Sequence, residues 1–68
     1  MSYREQLALQ LLREDRANGG DGVTSADIAH ACATRWPLGV IRRLVLEGFV
    51  IGEDRGRFVL VVDREERP

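Results

Sequence analysis

Residues 23–61 read VTSADIAHACATRWPLGVIRRLVLEGFVIGEDRGRFVLV and contain most of the signals for helix starts, helix ends and strands in this chain. The C-terminal part of this stretch has two apolar runs, 49–51 and 57–62, which are joined by the charged segment 52–56 with a glycine at each end. Two such runs around a short loop are typical of a β-hairpin. We therefore predict a two-stranded hairpin with a basic tip.

A helix is predicted over residues 37–47, directly before the hairpin, and Gly48 ends it. Proline suits the first position of a helix because the N–H that it lacks would have no partner there, and Pro37 holds that position. The buried side of this helix is predicted from three apolar residues at helical spacing: Val40, Ile41 and Leu44. The opposite side carries Gly39, Arg42, Arg43 and Leu46.

The first of two further helices is predicted from Ser2 to about Arg16. Ser2 and Glu5 have the spacing of a capping box, and the glycine-rich segment 18–22 ends the helix. Its apolar stripe is expected to consist of Tyr3, Leu7, Ala8, Leu11 and Leu12. Leu9 falls outside that stripe and is expected at the surface.

The other helix is predicted to begin after Thr24 or Ser25 and to run to about residue 33. Either residue can cap a helix, and Asp27 places a negative charge near the positive end of the helix dipole. Its inward residues are expected to be Ile28, Ala29 and Cys32. The preceding Val23 is a lone apolar residue, and we expect it to form a strand of one residue at most.

Length and composition indicate one small folded domain. The chain has 68 residues, 44% of them hydrophobic and 31% charged, and carries a formal net charge of -1. Residues 35–57 contain five arginines and three acidic residues, so this segment is basic while the rest of the chain is acidic. We expect residues 1–62 to form the domain and residues 63–68 to form a charged, flexible tail.

The residues give little support for catalysis, metal binding or export. The single cysteine, Cys32, cannot form an internal disulfide, and we see neither an export signal nor a membrane-spanning run, so a cytoplasmic protein is expected. His30 lies two residues from Cys32 and points to a different helix face, which is unsuited to chelation. We expect no catalytic residue, metal, cofactor, membrane contact or small-molecule substrate.

The order of three helices and a hairpin resembles the winged helix-turn-helix superfamily, as found in small bacterial or phage transcription regulators of the MarR, ArsR and PadR kinds. Residues 23–29 resemble the start of its second helix, and the pattern of Val40, Leu44 and Gly48 resembles the end of its third helix. Residues 55–57, Arg-Gly-Arg, resemble the tip of its wing. The resemblance implies an α+β fold with three helices followed by a two-stranded β-hairpin wing, and no enzymatic activity.

The resemblance also implies that the third helix enters the major groove of double-stranded DNA, while the wing contacts the backbone or minor groove. An arginine fork on the outer side of the helix fits guanine O6 and N7, and Leu38 fits a thymine methyl group. The predicted DNA-binding residues are Thr34, Arg35, Trp36, Leu38, Gly39, Arg42, Arg43, Arg55 and Arg57.

These basic and aromatic residues also allow plainer interpretations. Arg42 and Arg43 could pair with Glu47 on a solvated helix face, and the wing arginines could balance the acidic residues beside them. Trp36 could pack on the second helix as a hydrophobic staple instead of stacking on a base.

Surplus apolar residues point to a partner. Leu9, Leu46, Val59 and Val61 are predicted to lie outside the core and to form the interface of a homodimer. A second interpretation of the same residues is a winged-helix module that binds another protein and does not bind DNA. Steep salt dependence would distinguish DNA binding from an apolar protein interface.

Overall fold

The computed structural model of the chain describes residues 1–66 and contains, within them, three α-helices, three β-strands and one short 3₁₀ helix. In chain order these are α1 (Tyr3–Ala17), β1 (Val23–Thr24), α2 (Ser25–Cys32), α3 (Pro37–Leu46), β2 (Val50–Asp54), β3 (Arg57–Val62) and the 3₁₀ helix (Arg64–Glu66). The predicted α+β class is confirmed. The predicted strand count is wrong, because the sheet has three strands and not two.

Reciprocal side-chain caps start the first two helices. The Ser2 hydroxyl accepts a hydrogen bond from the Glu5 N–H, and the Glu5 carboxylate accepts one from the Ser2 N–H, both at 3.3 Å. Thr24 and Asp27 make the same pair of bonds at 3.1 and 3.0 Å, so Thr24 and not Ser25 caps α2. Each cap satisfies backbone N–H groups that have no partner inside the helix.

The third helix begins at the predicted residue and ends one residue earlier than predicted, at Leu46. Pro37 is its first residue, and Val40, Ile41 and Leu44 are its buried residues. Gly48 follows its C-terminal end with a φ of 105°, which glycine adopts at little cost. This turn lets the Phe49 N–H donate to the Leu44 carbonyl at 3.2 Å and directs Phe49 into the core.

The buried side of α1 differs from the predicted stripe. Leu9 is only 4% exposed, whereas Tyr3 is 73% exposed, so both predictions are wrong. The helix packs against α2 and α3 and also against β3, which moves its buried side toward Glu5, Ala8, Leu9 and Leu12. The complete set of buried apolar residues is Ala8, Leu9, Leu12, Val23, Ile28, Cys32, Val40, Ile41, Leu44, Phe49 and Leu60.

The sheet is antiparallel, with β3 in the centre and β1 and β2 at its sides. Val23 pairs with Phe58 and Thr24 with Arg57, so the short β1 fastens the start of α2 to the hairpin. A strand of two residues is too short for a periodic pattern, and only its pairing with β3 makes it recognisable.

The hairpin turn is shorter than predicted. β2 continues to Asp54, so the connection is the two-residue turn Arg55-Gly56 and not the segment 52–56. Both turn residues have positive φ angles, 54° and 78°, as expected for a tight hairpin turn that follows the twist of the strands. Gly52 lies within β2, where a Cβ atom would come within 3.3 Å of Cγ2 of Val61. Glycine leaves room for that side chain.

Residues 63–66 pack against α1, whereas the sequence predicted a flexible tail from residue 63. Arg13 binds both carboxylate oxygens of Asp63, at 2.5 Å from Nε and 2.9 Å from Nη2, and Arg16 pairs with Glu66. Asp63 is buried. Residues 67 and 68 of the predicted tail lie outside the described residues.

The Asp63 ion pair predicts an acid-sensitive contribution to stability. Hydrogen bonds from the Arg13 guanidinium lower the pKa of Asp63 by more than burial raises it. A carboxyl group whose folded pKa is lowered stabilises the fold above its unfolded pKa of about 3.9, and this contribution is lost as the pH falls through the folded value. We expect Asp63→Asn to lower the free energy of unfolding at neutral pH by about 1 kcal/mol, because Arg13 is partly exposed and screened.

Urea unfolding at neutral pH and at about pH 3 checks this expectation. The difference between Asp63→Asn and the wild type is expected to shrink at the lower pH. Glu65→Gln is the matched control, since Glu65 is 74% exposed and lies 3.5 Å from the same Arg13. A larger effect of Glu65→Gln than of Asp63→Asn would contradict the assignment.

Candidate nucleic-acid interface

The outer side of α3 is exposed and contains both apolar and basic residues. Leu38 and Leu46 are 61% and 73% exposed, and Gly39 is exposed beside them. The Arg42 side chain is also exposed and takes part in no side-chain hydrogen bond or ion pair among residues 1–66. Its guanidinium is therefore available to an external ligand.

Arg43 extends from α3 toward α1. Its Nε lies 3.5 Å from Oε1 of Glu5, while 70% of the Arg43 side chain remains exposed. The expected pairing of Arg43 with Glu47 is wrong, because Glu47 faces Arg64 at 4.0 Å. Arg43 thus pairs with a carboxylate of the neighbouring helix and not with the one at the end of its own helix.

Glu5 is almost completely buried yet remains the charged partner of Arg43. Its burial raises the pKa, but hydrogen bonds with Ser2 and with Arg43 together bring the pKa below its ordinary value. The carboxylate thus caps α1 and orients one guanidinium of α3. The local sequence predicts the capping of α1 by Glu5 but not its pairing with Arg43, because that pairing depends on how α1 and α3 cross.

A small basic cleft lies beside the start of α3. Its lining residues are Arg4, Ala33, Thr34, Arg35 and Trp36, and its volume is about 250 Å³. The Trp36 indole is 78% exposed, so the predicted packing of Trp36 on α2 is wrong. Core residues of α2 and α3 already fill the space between these helices, which leaves the indole at the surface.

Arg4 belongs to this cleft although the sequence did not single it out. The Cys32 thiol donates to the Arg4 carbonyl oxygen at 3.3 Å, which fixes the first turn of α1 beside the end of α2. Nothing in the local pattern around Arg4 distinguishes it from the other exposed residues of α1. Its position is a consequence of helix packing alone.

Four exposed arginines on α1, on α3 and in the segment before α3 make up a basic set that we call the arginine face: Arg4, Arg35, Arg42 and Arg43. Arg4 and Arg35 share the cleft, and Arg43 is bound to the residue that follows Arg4 in α1. Among residues 1–66, the other ion pairs join Arg13, Arg16 and Arg64 to Glu47 after α3 and to acidic residues of the segment 63–66. None of these pairs includes a residue of the arginine face.

The hairpin tip is closer to electrical neutrality. Arg57 donates from Nη1 to the Gly22 carbonyl at 3.1 Å and lies opposite Asp54 in the sheet, so it helps to hold the loop before β1. Arg55 is exposed at the turn, in a small cleft that Asp21 also lines. Positive charge is therefore less concentrated around Arg55 and Arg57 of the hairpin than on the arginine face.

The four residues predicted for a dimer interface lie in different environments. Leu9 is in the core and cannot contact a partner, so that prediction is wrong. Val59 is only half-buried and lies against the backbone of Gly22, while Leu46 and Val61 are exposed.

No group of three potential metal ligands occurs within residues 1–66, and no helix in that part of the chain is long and apolar enough to cross a membrane. Cys32 is buried, which raises the pKa of its thiol. A larger groove of about 560 Å³ lies between α1 and the 3₁₀ helix, but Arg13 and Arg64 in it are already engaged with acidic residues. Comparison with known protein families, curated proteins and solved structures gives no match.

Proposed function

We propose that this chain is a winged helix-turn-helix protein that binds double-stranded DNA through α3 and the β2–β3 hairpin, as a small transcriptional regulator. The observation that carries this proposal is the arginine face, whose members Arg4, Arg35 and Arg42 have no acidic partner among residues 1–66. Guanidinium groups that are fixed on a folded surface and lack internal partners favour phosphate oxygens.

The size and exposure of α3 suit the major groove. A helix of ten residues is about 15 Å long, and the groove is about 12 Å wide, so the outer side of the helix can approach base edges. Arg42 lies near the middle of this side and would contact a guanine edge, while Leu38 in the first turn would contact a thymine methyl group. Arg55 and Arg57 of the hairpin would add contacts to the DNA backbone.

The ion pair between Arg43 and Glu5 has a role in this binding mode. It restrains one end of a long side chain before DNA arrives, which reduces the entropy that binding would otherwise cost. Since most of the side chain is exposed, Arg43 can donate to a phosphate with its terminal nitrogens while Nε remains near Glu5.

Salt dependence tests the proposed function. We expect the affinity for a duplex of about 20 base pairs to fall log-linearly between about 50 and 200 mM salt. Each neutralised phosphate contributes about -0.9 to the slope, so the five arginines expected at phosphates predict a slope between about -4 and -5. These five are Arg4, Arg35, Arg43, Arg55 and Arg57. Fluorescence anisotropy of a labelled duplex measures this slope. A flat response, or no binding at about 50 mM salt, would overturn the proposal.

A protein-interaction module is the second candidate, and the apolar part of α3 favours it. Leu38, Val45 and Leu46 are all exposed on one helix, and the chain as a whole carries a net charge of -1. The same residues could pair two copies of the chain, which would cover the side of α3 that DNA binding needs. This second candidate would be supported if the chain did not bind duplex DNA but bound a protein through Leu38, Val45 and Leu46.

A further inference from the structure

The cleft at the start of α3 combines an aromatic surface with two positive charges. Trp36 exposes 78% of its surface, and Arg4 and Arg35 line the same cleft without an ion-pair partner among residues 1–66. A ligand that covers a large exposed aromatic ring gains free energy by removing its apolar surface from water. The neighbouring guanidinium groups indicate that this ligand is an anion with a flat, partly apolar part.

The backbone that carries the indole is fixed. The Trp36 N–H donates to the Thr34 hydroxyl at 3.1 Å, and the Trp36 carbonyl accepts from the Val40 N–H at 3.2 Å. Pro37 follows as the first residue of α3 and restricts the backbone further. Only the two side-chain torsions of Trp36 remain to be ordered when a ligand binds, so stacking on it costs little entropy.

We propose that this cleft binds one unpaired nucleotide, with its base stacked on Trp36 and its phosphate held by Arg4 and Arg35. The proposal rests on the proposed DNA binding and extends it from intact duplex to duplex with unpaired nucleotides. Within an intact duplex both faces of each base are covered by its neighbours, so an indole beside the groove finds no base face to stack on. A gap, a bulge or a single-stranded extension supplies one.

The dimensions of the cleft favour a nucleotide over the other ligands with this chemistry. Its volume of about 250 Å³ is below the roughly 300–1,000 Å³ of pockets that enclose small molecules. An inorganic phosphate would engage the arginines and leave the indole uncovered. A nucleotide that remains part of a strand covers both, and the adjoining α3 would hold the paired part of the same DNA.

The test compares two labelled DNA molecules with identical ends, one an intact duplex and the other a duplex with a short internal gap in one strand. We expect the full chain to bind the gapped DNA about 5-fold or more tightly, which is the lower range of base stacking on an aromatic side chain. Trp36 is the single tryptophan of the chain, so its intrinsic fluorescence reports on this cleft alone. Its emission is expected to be quenched by the gapped DNA and not by the intact duplex.

Variants separate stacking from other causes of a preference for gapped DNA. Trp36→Ala is expected to remove the preference for gapped over intact DNA, whereas Trp36→Phe retains part of it. Arg4→Gln with Arg35→Gln is expected to weaken binding of the gapped DNA and to flatten its salt dependence. A preference that survives in Trp36→Ala would arise from the flexibility of the gapped DNA and would overturn the inference.

The outcomes also distinguish this inference from the proposed function. Equal binding of both DNA molecules with unchanged Trp36 emission would overturn the nucleotide cleft and leave duplex binding intact. Failure to bind either DNA would overturn both.

Discussion

Replacing Arg42 by Glu and Arg43 by Gln together is expected to lower the affinity for duplex DNA by at least about 100-fold, because an arginine that contacts a base edge contributes about 1–3 kcal/mol and the new carboxylate repels phosphate. Arg43 is changed to Gln because a glutamate there would face buried Glu5, 3.5 Å from the present Nε, and would unfold the domain for reasons unrelated to DNA. Glutamine retains a donor for the Glu5 carboxylate. Anisotropy titration at low salt measures the loss.

The matched control is Arg16→Glu with Arg64→Gln, which changes the net charge of the chain by the same amount. Both residues belong to ion pairs at the opposite end of α1 and at the 3₁₀ helix, and both are partly exposed, so their loss should cost little stability. We expect this control to retain most of the affinity. Equal losses in the two double variants would mean that binding follows overall charge and not the arginine face.

Phe49→Ala is expected to have the largest effect on stability. Phe49 is 2% exposed and joins the end of α3 to β2, and the guanidinium carbons of Arg13 and Arg64 lie 5.9 and 5.0 Å from the centre of its ring. Truncating a buried phenylalanine costs about 3–5 kcal/mol, while a domain of this size is stabilised by roughly 3–10 kcal/mol. A large fraction of the variant is therefore expected to be unfolded at 25 °C, which circular dichroism during urea unfolding will show.

Trp36→Ala provides the control, because it removes a larger aromatic side chain from an exposed position. Its free energy of unfolding is expected to stay within about 0.5 kcal/mol of the wild type. If Trp36→Ala were as destabilising as Phe49→Ala, the indole would be packed in solution and the nucleotide cleft would not exist as described.

The two arginines at the centre of the first prediction illustrate how far sequence reasoning reached. Helical spacing placed Arg42 and Arg43 on the side of α3 opposite its buried stripe, and both side chains are exposed in the structure. The same reasoning offered Glu47 as an alternative partner because it weighed only neighbours within one helix. The actual partner of Arg43 is Glu5, which is 38 positions away in sequence.

The exposures of Trp36 and Leu9 were also predicted from patterns within a single helix, and both predictions were wrong. A single-helix pattern cannot state which neighbouring element covers a given side, so it placed Trp36 against α2 and left Leu9 at the surface. Leu9 is 4% exposed on a helix that packs against α2, α3 and β3, whereas Trp36 is 78% exposed, so the two exposures are the reverse of those expected.

The amino-acid order alone determined the cap of α1 at Ser2, the start of α3 at Pro37 and the turn at Gly48 that follows α3, because caps, proline and positive φ angles act over a few neighbouring residues. For α2 it left Thr24 and Ser25 as alternative caps. It also determined the hairpin. Only the packing of these elements decided that β1 joins the sheet, that residues 63–66 bind α1, and that Arg4 meets Trp36 in one cleft. Each of these contacts joins residues far apart in the chain, and their formation depends on the crossing of helices and the pairing of strands, which no local pattern encodes.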